Sequence, residues 1–365
     1  MKEGWTYKKF DEVFNLQMGK TPSRDNLSYW GGDNIWVSIA DLKGKYVNLT
    51  KEHITDKAVS ESGIHIVPKG TAIMSFKLTI GRAAITQCDL YTNEAIMSFE
   101  PKETNCVSSD YVYYFLQGCK WNGANKAVMG QTLNKKTISA NVFAYPSLET
   151  QSKIVSELDL LQSIIDKQKS QLNELDNLAK AILYDMFGAP VANEKGWEVN
   201  VLGKVCELKA GKSIKASELS ELPSDGLFPC FGGNGIRGYI AKKSHTGAFP
   251  IIGRQGALCG NVNMANGTFY ATEHAVVCTP SNKLHPIFLF YVLKEMNLNQ
   301  YAKGVAQPGL AVGNITPLPI ILPPLSLQQS FAAKIESIEK QKAAINKSIE
   351  ESQKLFDYTM DKYFG

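Results

Sequence analysis

The chain has 365 residues, is 44% hydrophobic and 20% charged, and carries a formal net charge of +4. That apolar content suffices for two cored domains plus helices, while the longest apolar run, Pro286–Leu293, falls well short of the roughly 20 residues a membrane helix needs. The opening Met1–Phe10 has no signal-peptide core, and the seven cysteines are scattered, odd in number and never spaced C-x-x-C, which argues against disulfides and zinc and for a reducing cytoplasm.

The first phrase in chain order is one that returns. Trp5, Phe10, Val13, Leu16 and Gly19-Lys20-Thr21 recur 192 residues later as Trp197, Leu202, Val205, Leu208 and Gly211-Lys212-Ser213. After the first copy, short strands are predicted at 64–66, 72–76, 83–86 and 95–99, followed by a helix over 111–117. From Ile154 the apolar positions Leu158, Leu161, Ile165, Leu172 and Leu175 fall at heptad spacing, so a long helix is predicted, entered at Pro146 and ending near Met186-Phe187-Gly188. The second copy repeats this plan with strands at 250–253, 258–262 and 275–279 and a helix over 287–295. Pro323-Pro324 then opens a second heptad helix carrying Ile335, Ile338, Ile345 and Ile349 and ending in Tyr363-Phe364-Gly365. Tyr91 and Glu94 match Tyr270 and Glu273 at an offset of 179, so the second copy is shorter before this point, where recognition loops would differ.

This organisation implies four segments: a first domain over 1–146, a helix over 147–188, a second domain over 195–325 and a helix over 326–365. Two heptad helices at equivalent places in a repeat are most simply paired with each other, antiparallel and within one chain, giving a molecule of near two-fold symmetry suited to a two-sided target such as duplex DNA. Charge follows the same division: 1–146 carries +3 and 195–325 carries +5, whereas 147–194 carries −4. Positive charge thus lies in the parts that would touch phosphate.

The Gly-Lys-Thr/Ser turns are not phosphate-binding P-loops, because that motif needs glycine five residues before its Gly-Lys and Phe14 and Cys206 stand there. They read either as solvent-facing turns or, through Lys20, Thr21, Lys212 and Ser213, as contacts to DNA phosphate. No Asn/Asp-Pro-Pro-aromatic element of base methylation is present, no acidic cluster accompanies Glu207-Leu208-Lys209, and the five histidines lack metal-ligand spacing. What remains suits binding. The Gly232–Tyr239 stretch reads as a flexible loop offering Asn234, Arg237 and Tyr239, and Arg254 and Gln255 follow with side chains that can pair with guanine and adenine edges. In the first copy Lys77 and Arg82 occupy the corresponding region, and Gln131, Asn134 and Lys135 form a polar loop before the helix, matched by Gln307.

The repeated opening phrase, the Gly-Asn-Gly-Ile-Arg-Gly-Tyr stretch, the Pro323-Pro324-Leu325 to Gln328-Gln329 helix entry (more loosely Pro146 to Gln151) and the Phe-Gly helix ends occur in one order over essentially the whole chain. In that order the chain resembles the specificity subunit of type I restriction-modification systems. It departs from the family pattern at Asp11, where glycine is usual, and in lacking the double proline in the first copy. The resemblance implies two α/β target-recognition domains, each reading one half of a bipartite DNA sequence, joined by two long helices that fix the unread spacer. It also implies a subunit without catalysis or cofactor of its own. Two modification subunits that use S-adenosylmethionine would dock on the helices, and restriction subunits that use ATP and Mg would join them. The alternatives are a coiled-coil scaffold that binds only proteins and a nuclease with an unrecognised site.

Overall fold

The computed structural model describes residues 2–103, 105–122, 125–127, 130–256, 258–304 and 308–365, without the side chains of 125–127, 130 and 131. Two compact units divide it: Met1–Lys167 with Ser348–Gly365, and Gln168–Lys347. The two long helices serve both units in turn. The central helix Leu148–Phe187 gives its first half to the first unit and its second half to the second, and the C-terminal helix Leu325–Phe364 does the reverse.

In the first unit a five-stranded sheet runs in the order Phe14–Met18, Ile96–Pro101, Ala72–Ser75, Ala83–Thr86, Tyr46–Val47. One face packs on the helix Ser109–Gly118 around Phe10, Phe14, Phe99, Phe115 and Phe143, whose contacting rings lie 4.6 to 5.9 Å apart. In the second unit six strands run in the order Cys206–Ala210, Ala275–Pro280, His245–Gly253, Val262–Ala271, Phe228–Gly232, Gly235–Ile240, with the helix Pro286–Glu295 in the same role.

The repeat holds down to hydrogen-bond register. Lys9 pairs with Val142 as Val201 pairs with Pro319. Parallel pairing of Trp36–Val37 with Tyr91–Thr92 is matched by that of Cys230–Phe231 with Tyr270–Ala271.

The long helices enter each unit through a buried glutamine. Gln151 and Gln328 are both 0% exposed. Gln151 Oε1 accepts from Ser108 N (2.9 Å), and its Nε2 donates to Cys106 O and Pro146 O (2.9 Å each). Gln328 Oε1 accepts from His285 N (2.8 Å), and its Nε2 donates to Lys283 O (3.1 Å) and Pro323 O (2.9 Å). Ser108 and His285 are themselves the N-caps of the two sheet-covering helices, so one side chain joins two helix entries and satisfies backbone groups that burial would otherwise orphan.

The helix ends close the opposite units. Phe187 is fully buried against Phe288 and Phe331 (4.7 and 5.5 Å), and its carbonyl accepts from Trp197 Nε1 (2.9 Å). Phe364 packs on Tyr111 and Phe115 (5.6 and 5.7 Å), and Trp5 also lies against Tyr111 (6.4 Å). Within the second unit the helices run antiparallel, since Asp176 pairs with Lys342 (2.8 Å) while the later Phe187 meets the earlier Phe331. In the first unit early turns of the central helix meet the last turns of the other, where Tyr363 Oη donates to Glu157 (2.8 Å).

Three local expectations differ from the structure. Residues 64–66 are not a strand: they leave the helix Asp56–Ser62 through left-handed Gly63, and only Val67 makes a bridge, to Leu90. Residues 258–261 form a turn, with Cys259 N bonded to Gly256 O and Asn261 N to Leu258 O, and the strand starts at Val262. The glycine-rich 232–239 stretch is no loose loop but a tight hairpin, closed by Gly232 opposite Gly235, with Arg237 and Tyr239 on its second strand. Among the described residues no helix is long and apolar enough to cross a membrane.

The buried amides make a stability prediction. Gln328→Ala or Gln151→Ala leaves a buried helix-cap N–H and two carbonyls without their partner and should lower unfolding free energy by about 3 kcal/mol. Gln329→Ala, next door and exposed, should change it by under about 0.5 kcal/mol. Urea unfolding followed by circular dichroism separates the two; equal effects would remove the keystone role of the amide.

Candidate nucleic-acid interface

The Gly-Lys turns are fixed in both units by one backbone device. Gly19 N donates to Ile96 O and Lys20 N to Thr92 O (3.1 and 2.8 Å); Gly211 N donates to Ala275 O and Lys212 N to Ala271 O (3.1 and 3.2 Å). A Cβ on Gly19 would stand 2.2 Å from Thr92 O, and one on Gly211 2.0 Å from Ala271 O, so only glycine allows the approach. An aromatic donor then holds each lysine carbonyl: Trp36 Nε1 to Lys20 O (3.1 Å) and Tyr270 Oη to Lys212 O (3.3 Å). The backbone is locked while the Lys20, Lys212 and Ser213 side chains are exposed.

Around the first turn lies a cluster that the sequence did not reveal. Thr21 Oγ1 donates to the Glu94 carboxylate, and Arg24 forks onto Glu52 while its guanidinium lies 3.8 Å from the Trp30 ring centre and 5.0 Å from that of Trp36. Trp30 Nε1 donates to Ser23 O (3.1 Å). Burial alone would raise the Glu94 carboxyl, but the Thr21 hydroxyl, a backbone amide, Lys77 and Arg24 outweigh it and hold it below the usual carboxylate range. Only the Trp-rich composition of 30–36 signalled this cluster, and nothing in the sequence tied it to Arg24 or Glu52. Among the described residues of the second unit there is no such stack; there Lys242 is paired with Glu218.

The remaining candidates fall into three groups. Arg82, Lys135, Arg237 and Gln255 are exposed, with Lys77 half-buried. Others have structural work: Asn134 Oδ1 caps the helix Lys135–Ala140 by accepting from Thr137 N, Asn234 Oδ1 accepts from Asn261 (2.9 Å), and Tyr239 pairs through its backbone with Ser220. Arg254, half-buried, donates to Leu310 O and Glu273 O (3.3 Å each) and so braces the sheet edge. Gln131 sits on the strand Gly130–Thr132 with its side chain outside the description, and Gln307 lies outside the described residues altogether.

Of the helix positions, Ile154, Leu158, Leu161, Ile165, Ile335 and Ile338 are buried within the chain, and Leu172, Leu175, Ile345 and Ile349 are half-buried. The apolar helix residues that reach solvent are others, Leu160, Ile164, Leu178, Leu355 and Tyr358 among them. Among the described residues no group of three His, Cys, Asp or Glu side chains is placed to hold a metal ion.

The chain is similar to known proteins in sequence and in fold. The model of the type I restriction modification DNA specificity domain matches twice, over residues 2–177 and 194–353. The chain is 32% identical over 348 residues to the type I restriction enzyme EcoprrI specificity subunit of Escherichia coli, covering 90% of this chain and 86% of that one. It is 26% identical over 401 residues to the MjaIX specificity subunit of Methanocaldococcus jannaschii, covering 98% and 92%. In fold it is similar to the crystal structure of a type I restriction-modification system S subunit from M. genitalium, with a TM-score of 0.59 at 15% identity over 99% of this chain and 96% of that one.

The two arginines of the second unit should behave differently. Arg254→Ala removes bonds to two backbone carbonyls and should destabilise by about 1–3 kcal/mol. Arg237→Ala, on an exposed strand position, should stay within about 0.5 kcal/mol. Denaturant midpoints measure both, and an unaffected Arg254→Ala protein would contradict the bracing role.

Proposed function

The chain belongs to the type I restriction-modification DNA specificity family and is a sequence-specific, non-catalytic DNA-recognition subunit, and from that membership we propose that each of its units reads one half of a bipartite target. The observation that carries this reading is the double construction itself: one hydrogen-bonded frame built twice, with the same locked Gly-Lys turn and different exposed side chains around it. Residues 1–146 and 195–325 act as the recognition domains. Lys20 and Lys212 meet phosphates and set register, and the differing loops read base edges.

The two long helices, 40 residues each and so roughly 60 Å at 1.5 Å per residue, set the unread spacer. Their exposed faces dock two modification subunits, which supply S-adenosylmethionine chemistry, with restriction subunits joining them. The place of action is the cytoplasm, in keeping with cysteines that are all free.

Expression of the chain with its modification subunit in a methyl-free host, followed by modified-base sequencing, tests the reading. Methyladenine should appear at one split motif only when the chain is present; methylation unaltered by omitting the chain would sink it. Lys20→Ala and Lys212→Ala should each weaken DNA binding of the assembled complex without altering the motif, and lower the salt slope of log affinity by about 1. A changed motif would make either lysine a base reader instead.

A further inference from the structure

One position beyond the sheet edge is built alike in both units and filled differently. Phe76 N donates to Ala95 O as Arg254 N donates to His274 O, 3.0 Å in each case. Leu133 N donates to Phe76 O (2.9 Å) as Leu310 N donates to Arg254 O (2.8 Å), and both leucines are core residues. The next residue pairs with the opposite segment in each unit, Lys77 with Thr132 and Gln255 with Gly309. The residue after that is left-handed in each, Leu78 at φ 67° and Gly256 at φ 83°. Lys77 and Gln255 are thus structural equivalents, which their separation in sequence obscures because the loops before them differ in length.

We propose that Lys77 and Gln255 are the specificity-determining side chains of their respective half-sites, Lys77 for a guanine and Gln255 for an adenine. The inference rests on the bipartite reading above. Both stems are held rigidly, because the residue before is anchored at its N–H and its carbonyl. Neither side-chain head makes a hydrogen bond or close ion pair with any described residue; the Lys77 ammonium lies 5.5 Å from the Phe76 ring centre and acts on the Glu94 carboxylate only through its field. A structural role would favour the same residue in the same frame. Here the frame is kept and the chemistry changes: an ammonium, which only donates, matches guanine O6 and N7, and an amide, which donates and accepts, matches adenine N7 and N6. The backbone supports the assignment. Leu78 holds a left-handed conformation that glycine takes freely, with its side chain 59% exposed and so not retained for packing. Strain kept without a packing return marks functional positions.

The wild-type, Lys77→Gln and Gln255→Lys chains, each with the modification subunit in the methyl-free host, are compared by modified-base sequencing. Lys77→Gln should change one base of one half, guanine toward adenine, and leave the other half untouched. Gln255→Lys should do the converse in the other half, with preference shifted on the order of tenfold at the changed position. Lys77→Ala and Gln255→Ala should accept any base there, so the assignment stays testable if an exchanged residue impairs folding. An unchanged motif in the exchanged and alanine chains, whether methylation is retained or uniformly reduced, overturns the assignment while leaving the bipartite reading intact. No chain-dependent split motif from the wild type overturns both.

Discussion

Gln151 and Gln328 each sit where three pieces of backbone arrive together: the proline entry of a long helix, the loop before a sheet-covering helix, and that helix's own cap. Excluded from water, these groups must be paired inside the chain. One primary amide supplies one acceptor and two donors, and all three are used in both units. A shorter side chain would not reach, and a carboxylate could not donate. The angle at which each long helix leaves its unit is therefore set by hydrogen bonds rather than by apolar packing alone, which tolerates more slip.

Apolar packing then closes each unit with the end of a long helix. Phe187 completes the core of the second unit and Phe364 that of the first, each in the cluster against which the tryptophan opening its repeat packs. The first unit is not a continuous stretch of sequence: it includes Ser348–Gly365 from the end of the C-terminal helix. The repeated Trp phrase and the repeated Phe-Gly ending share one core cluster in each unit, separated by 10 residues at Phe187 and Trp197 in the second and drawn from opposite ends of the sequence at Trp5 and Phe364 in the first. The helices that link the repeats are also structural members of both.

Much of this was legible beforehand because it rests on periodic burial or on a unique residue requirement. The heptad positions Ile154, Leu158, Ile335 and Ile338 are buried, the proline entries begin helices, and strands at 72–75 and 83–86 stand where alternation and composition put them. The repeated Gly-Lys phrase marked a locked turn because only glycine fits against Thr92 O and Ala271 O. The misses have physical causes as well. Glycines at 232–238 suggested freedom, but cross-strand pairing, invisible locally, makes that stretch a hairpin. The bracing contacts of Arg254 were not foreseen, because its carbonyl partners at 273 and 310 are distant in sequence. Arg24 on Trp30 was missed for the same reason: stacking needs the fold to bring the residues together. The equivalence of Lys77 and Gln255 required backbone register, since the repeat offset drifts between 192 and 179 across loops of unequal length.

The central claim is that each unit carries its own half of the recognised sequence. Replacing residues 195–325 with a second copy of 1–146, and sequencing modified bases in the methyl-free host, tests it most directly. The account predicts a split motif in which the first unit's half occurs twice and the second unit's half is lost. Retention of the original two halves, or a motif unrelated to either in a complex that still assembles, would contradict it.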